Sequence, residues 1–276
     1  MTQGWPLLAV ALADVTALVA AALLVRSPPP RLLRKNHAGR LVPAVLGLAL
    51  VSSVVISTPA TAAVAGATDE LVRVLSWAIA ATVVLAAVGL LDDLAESRAR
   101  GFRGHLGSLL KRGRPTTGIV KLAAGVAAGT FLAVLMGGGP LRVAAAAVLM
   151  AVSANVWNAL DVVPGRALKV GILALLPLLW ASWGEHMGLL AGATLGGVVA
   201  LLPFDLLERG MLGDAGSNPL GFLVGVGAAA VLPTPGVVAA AVGGLVLQLA
   251  AETVTISRLV EATPPLRWLD RLGRRA

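Results

Sequence analysis

RVLSWAIAATVVLAAVGLLDDLAESRAR, Arg73 to Arg100, carries the decision about the fold. From Val74 to Leu91 no side chain is charged, and the run then ends in two adjacent aspartates followed by arginines. A helix needs about 20 apolar residues to cross a bilayer, so this stretch reads as a span with its carboxylates at the mouth. Asp92 and Asp93 are the first acidic residues after Glu70. Each costs free energy near hydrocarbon, and the two repel one another. Such a pair is tolerated where a divalent cation or neighbouring arginines neutralise it; Arg98 and Arg100 are at hand for a purely structural version.

Apolar blocks of similar length recur along the 276-residue chain. Mean hydropathy is +0.87, and 13% of residues are charged, where a soluble domain carries roughly 25%. The alternative, a soluble protein with a very large core, does not account for blocks of membrane length. The pattern predicts an all-α polytopic membrane protein with about nine spans, at 5–25, 41–59, 73–91, 117–136, 141–157, 168–182, 187–204, 219–232 and 237–256. The sixth and eighth are short and broken by Pro or Gly, as tilted or partly re-entrant segments are. The first has no basic segment before it and reads as a retained span rather than a cleaved signal. Without cysteine, disulfides are excluded.

The net charge of +8 is explained by orientation rather than by nucleic acid. Twenty of the 22 basic residues fall in alternate connections and the C-terminal tail, and only Arg73 and Arg142 fall on the other side. The positive-inside rule then makes those connections and the C-terminus cytoplasmic and the N-terminus external. Residues 1–257 form the membrane domain. Residues 258–276 form a basic tail whose Leu266, Trp268, Leu269 and Leu272 among arginines fit a short amphipathic helix on anionic lipid.

Four polar clusters fall on that cytoplasmic side, although the sides were assigned from Lys and Arg alone. RKNHAGRLVP, Arg34 to Pro43, offers Lys35 and Asn36 for a phosphate or carboxylate, or simply a positive-inside anchor. The Asp92–Asp93 pair is the second. NVWNALDVVPGRALK, Asn155 to Lys169, places Asn155, Asn158 and Asp161 on one helix face, where capping accounts for one residue and not three. GDAGS, Gly213 to Ser217, supplies a carboxylate, two glycines and a hydroxyl at a helix start whose N–H groups would face an anion, or else forms an ordinary turn capped by Ser217. Carboxylates from three loops beside Lys and Arg suit a Mg²⁺-assisted reaction on a phosphate or diphosphate. The three histidines show no metal-ligand spacing, and neither a G-x-S-x-G elbow nor a P-loop is present.

These clusters, in this order over roughly residues 30–225, resemble the polyprenyl-phosphate sugar-1-phosphate transferases, the MraY/WecA-like glycosyltransferase family 4. GLLDDL is similar to that family's aspartate pair, NVWNALD to its N-x-x-N-x-x-D motif, GDAGSNPLGF to its G-D-x-G-S loop and KNHAGRLVPAVLG to its first cytoplasmic motif. The resemblance implies transfer of a phospho-sugar from a UDP-sugar to a polyprenyl phosphate such as undecaprenyl phosphate, with release of UMP, in a bacterial-type plasma membrane. It implies Asp214 as a Mg²⁺ (or Mn²⁺) ligand with Asp161 in support. Asp92 would be base or acceptor-phosphate positioner, with Asp93 beside it. Asn155, Asn158 and Asp161 would hold the nucleotide end, Lys35, Asn36 and Lys111 the phosphates, and Gly213 and Ser217 would shape the loop. Relatives are often homodimers.

The sequence also departs from that family. Pro164 stands where relatives carry a second aspartate, and the late His-rich cytoplasmic motif is missing. Arg166, Arg258 and Arg267 are the cations available to take over its contacts. Two other classes of function follow from these departures: a non-enzymatic relative that binds a lipid phosphate or scaffolds the cell envelope, and a transporter. A transporter calls for ionisable residues near mid-span, and Asp14 is the clearest one here.

Overall fold

The computed structural model describes residues 4–94, 117–185, 187–253 and 256–274. Its long helices are α1 (Trp5–Arg26), α2 (Leu46–Ala65), α3 (Asp69–Leu94), α4 (Thr117–Met136), α5 (Pro140–Leu160), α6 (Arg166–Ala181), α7 (Met187–Leu206), α8 (Asp214–Val231) and α9 (Thr234–Thr253). Two short helices, α10 (Ile256–Ala262) and α11 (Pro264–Arg271), follow. Among the described residues, seven helices are long and apolar enough to cross a membrane. The other two long helices are α6, with 16 residues, and α8, with 18; these are the sixth and eighth segments that the sequence marks as short. The protein is an integral membrane α-helical bundle.

α8 is its hub. Every residue from Ala215 to Val226 is buried, and the helix packs against α2, α3, α5 and α6. A helix apolar all round belongs inside, so α8 is shielded by its neighbours and contributes little surface to lipid. It starts at Asp214, five residues before the expected start of that span, because Pro219 is accommodated inside the helix.

Small residues allow the closest approaches, as is usual where lipid gives helices no hydrophobic reason to associate. On α1, Ala9, Ala13, Ala17 and Ala21 recur every fourth residue and are fully buried. They form the face turned to α7, where a Cβ on Gly192 would lie 2.6 Å from the carbonyl oxygen of Pro6. α5 and α8 meet in the same way: a Cβ on Gly225 would lie 2.8 Å from the Cα of Met150.

Between α1 and α2 the chain forms a small sheet. Leu33–Lys35 (β1) and Leu41–Pro43 (β2) form an antiparallel hairpin, with Leu33 opposite Pro43 and Lys35 opposite Leu41. This moves the start of the second span from the expected residue 41 to Leu46. Asn36 shapes the hairpin loop, its Oδ1 accepting the N–H groups of Ala38 and Arg40 at 3.0 and 2.9 Å. The connection 207–213 runs alongside: Met211 N–H donates to Pro43 O at 2.9 Å, and Gly47 N–H to Leu212 O at 3.1 Å. Glu208 fastens the two by accepting Asn36 Nδ2 at 2.7 Å and Arg40 Nη2 at 3.0 Å. The expected boundary between membrane domain and tail, at 257/258, falls inside α10.

Candidate active site at one end of the bundle

Alternate helix ends converge at one end of the bundle, and each brings a carboxylate or its partner. α3 ends in Asp92 and Asp93, α5 ends at Asp161, α7 carries Asp205 near its end, and α8 opens on Asp214. α4 brings Lys121 in its first turns. The Nζ of Lys121 lies 2.5 Å from Asp92 Oδ2 and 2.5 Å from Asp214 Oδ2. One ammonium thus joins two carboxylates from two helices, and all three side chains are mostly shielded from water. In such surroundings the attraction is strong, and removing one partner is expensive.

The adjacent aspartates divide the work. Asp93 Oδ1 accepts the N–H of Asp214 at 3.3 Å and its Oδ2 accepts the N–H of Ala215 at 3.2 Å. A helix leaves its first N–H groups without intrahelical partners, and a carboxylate there also meets the positive end of the helix dipole. Asp93 therefore caps α8 from a neighbouring helix. At the GDAGS helix start, two of the N–H groups that could face an anion are taken by this side chain. Gly213 makes the turn possible at φ 68°, ψ 177°, a region only glycine occupies readily. From the other side, Arg34 donates through Nε to the carbonyl oxygen of Asp93 at 2.8 Å, tying the hairpin to the end of α3. Asp92, one residue earlier, is left facing Lys121.

Asp161 stands next to this group as the C-cap of α5. Burial pushes its carboxyl well above the usual carboxylate range, and the charges of Asp205, Asp214 and Asp93 add to the rise; a hydrogen bond from the Gly213 backbone opposes it. Asp205, 3% exposed, accepts the N–H of Gly165 at 2.7 Å. Asn158 Oδ1 accepts the hydroxyl of fully buried Ser217 at 3.2 Å, joining α5 to α8. Asn155, one turn earlier, is half-buried.

Not every expected site residue joins this group. Asn36 bonds within the hairpin loop and to Glu208. Lys35 is exposed at the end of β1. Arg166, proposed above to contact substrate, is 5% exposed and chelates Asp270 of α11 with Nε at 2.8 Å and Nη2 at 3.1 Å. Lys111 lies outside the described residues. Sequence reasoning passed over Lys121 and Asp205. Lys121 reads as an orienting charge, yet an ionisable residue in the first turns of an apolar helix is a functional candidate by default. Asp205 lies between apolar neighbours in LLPFDLL with no motif around it.

The donor set for a divalent cation is all oxygen, which suits Mg²⁺. Among the described residues, no three metal-ligating side chains are already assembled. The mutual repulsion around Asp161 is the kind a cation relieves.

Comparison with known proteins follows the same outline. No match was found among curated proteins. The family model described as glycosyl transferase family 4 matches residues 75–232, which run from the span before the aspartate pair to the end of α8. That is more than half of the chain and contains Asp92, Asp93, Lys121, Asp161, Asp205 and Asp214. The chain belongs to glycosyl transferase family 4, integral membrane enzymes that transfer a phospho-sugar to a polyprenyl phosphate.

Proposed function

We propose that this protein transfers a sugar-1-phosphate from a UDP-sugar to a polyprenyl phosphate such as undecaprenyl phosphate, with Mg²⁺, at the cytoplasmic face of the membrane. The observation that carries the reading is the cluster of Asp92, Lys121, Asp214 and Asp161 at the end of the bundle where the basic connections gather. A half-lipid substrate needs its polar site at that depth: its tail stays among the helices and its phosphate reaches the surface.

In the reaction, an oxygen of the acceptor phosphate attacks the phosphorus that carries the sugar. A new P–O–P bond forms, the bond to the uridine-bearing phosphate breaks, and UMP leaves with the bridging oxygen. The acceptor phosphate is largely ionised at pH 7, so no base has to remove a proton first. The difficulty is bringing two anions together, and fixed positive charge offsets that repulsion. Asp92 holds the Lys121 ammonium in place from one side and Asp214 from the other, so Lys121 can meet an arriving phosphate without reorganising. Asp214 and Asp161 are the residues that would hold Mg²⁺, which neutralises phosphate charge when bound. Asn158 and Ser217 keep α5 and α8 in register behind them.

The test is UMP release by purified protein given undecaprenyl phosphate, Mg²⁺ and a panel of UDP-sugars. UMP from one donor, lost with EDTA and in Asp214→Ala, is the expected result. Folded protein that releases no UMP from any donor would overturn the reading in favour of a lipid-phosphate-binding relative.

A further inference from the structure

α10 and α11 lie beyond the family match, which ends at residue 232, yet they carry a second buried ionic cluster. Asp270 of α11 is 5% exposed. It takes both Arg166 hydrogen bonds, at 2.8 and 3.1 Å, and lies 2.5 Å from Arg274 Nη2. The remaining Arg166 nitrogen, Nη1, donates to Ser257 Oγ of α10 at 2.9 Å. Lys169 Nζ donates to the carbonyl oxygens of Leu269, Asp270 and Leu272 at 2.9, 2.7 and 3.0 Å, closing the C-terminal end of α11. Arg274 Nε donates to Pro164 O at 3.0 Å.

On the bundle side, the hydrogen bonds just described end on one short segment, Pro164 to Lys169, which starts three residues after Asp161. The same segment is gripped on its other side by Asp205 through the Gly165 N–H. Gly165 has φ 76°, and a Cβ there would be 3.0 Å from Cγ of Leu206, so only glycine lets the segment pass this close to α7. A buried ionic cluster is a poor way to gain stability, because desolvation offsets most of the attraction; its best-attested use is to fix register. Here the register fixed is that of the loop leading out of Asp161.

We propose that Asp270 is a positioning residue for the active site: α11 is a strut that, through Arg166 and Arg274, holds residues 162–169, the loop after Asp161 and the first turn of α6, and thereby sets where Asp161 stands relative to Asp205 and Gly213. Its effect on turnover rests on the transferase reading above; its effect on the loop does not. The experiment therefore has two arms on the full chain in detergent, with Asp270→Asn, the milder Arg274→Gln, the conservative Asp270→Glu, and Arg271→Gln as control. The control breaks the exposed pair between Arg271 of the same helix and Glu261 of α10.

In the first arm, hydrogen exchange of residues 162–169 should speed up in Asp270→Asn and less in Arg274→Gln, with the control unchanged. In the second, Asp270→Asn should raise the Mg²⁺ and UDP-sugar concentrations for half-maximal UMP release by about tenfold. The maximal rate should move less, and Asp270→Glu should recover part of the loss. Unchanged exchange in both variants overturns the proposal, as does faster exchange with unaltered half-maximal concentrations. Should Asp270→Asn fail to fold, Arg274→Gln carries both arms, since it leaves the Arg166–Asp270 pair intact. If wild-type protein releases no UMP, the transferase reading fails and the exchange arm alone decides the strut.

Discussion

Two buried ionic clusters lie at the same end of this bundle, and they are built on opposite plans. Around Lys121, carboxylates are in excess: Asp92 and Asp214 share one ammonium, with Asp161 and Asp205 close behind. Around Asp270, cations are in excess: Arg166, Arg274 and Lys169 surround a single carboxylate, and the lysine and both arginines also bond backbone or hydroxyl oxygens. The first cluster gains from an added cation. In the second, the protein's own cations already pair the carboxylate. A buried charge cluster is thus not in itself a sign of function. The sign of the excess, and whether the protein's own groups answer it, separates a site awaiting a ligand from one that fixes a chain segment.

The comparison breaks most directly at Asp92. Asp92→Asn should lower turnover by about 100-fold or more in protein that still folds, with a melting temperature below wild type because Lys121 loses one of its two carboxylate partners; wild-type turnover by this variant would remove Asp92 from the site. Lys121→Met tests the acidic excess itself. Removing one partner of a buried pair costs about 3–5 kcal/mol, so the variant should melt well below wild type in EDTA. Millimolar Mg²⁺ should recover part of the gap, because the ion replaces the lost charge. A gap equal in EDTA and in Mg²⁺ would mean that the carboxylates do not form a cation site. Asp93→Ala should act differently from its neighbour. It removes a cap, worth about 1 kcal/mol, and its first consequence should be a lower melting temperature, with serine or asparagine restoring part of it.

The acidic cluster should also show proton competition. The Asp161 carboxyl is raised well above the usual range, first by burial and then by neighbouring carboxylates. A proton there is held more tightly than usual and must leave before a cation is bound. The Mg²⁺ needed for half-maximal UMP release should therefore rise as pH is lowered. A requirement independent of pH would place Asp161 outside the cation's reach.

Much of this was legible in the chain. Length and apolarity marked every long helix among the described residues, because a membrane leaves the backbone few other options. The aspartates were legible because carboxylates at the mouth of a span demand an explanation. What was hidden depends on contacts between distant segments. Nothing local distinguishes Asp93, which caps α8 across 121 positions, from Asp92, which faces Lys121. Asn36 reads as a phosphate ligand in RKNHAGR, but its geometry is that of a loop closed on itself and on Glu208. Arg166 was legible as a cation near the site, but its partner lies 104 residues away. The tail was legible as amphipathic, and Trp268 and Leu272 are indeed exposed; the inward Asp270 on the same short helix went unnoticed among arginines.

The smallest effect expected is the most selective for the second cluster. Burial alone would lift the Asp270 carboxyl, but the hydrogen bonds and charges of Arg166 and Arg274 outweigh it and hold it below the ordinary carboxylate range. A group with a depressed value prefers the folded state when ionised. Its contribution is complete above the unfolded value of about 3.9 and disappears as pH falls through the lower folded value. Other carboxylates titrate in the same window, so wild type alone cannot reveal it. The difference between wild type and Asp270→Asn can, because asparagine is neutral throughout. Hydrogen exchange of 162–169 should separate the two proteins at pH 6, and the separation should close as pH drops below about 4. A separation that persisted at low pH would mean that α11 holds the loop through packing, with the charge on Asp270 incidental.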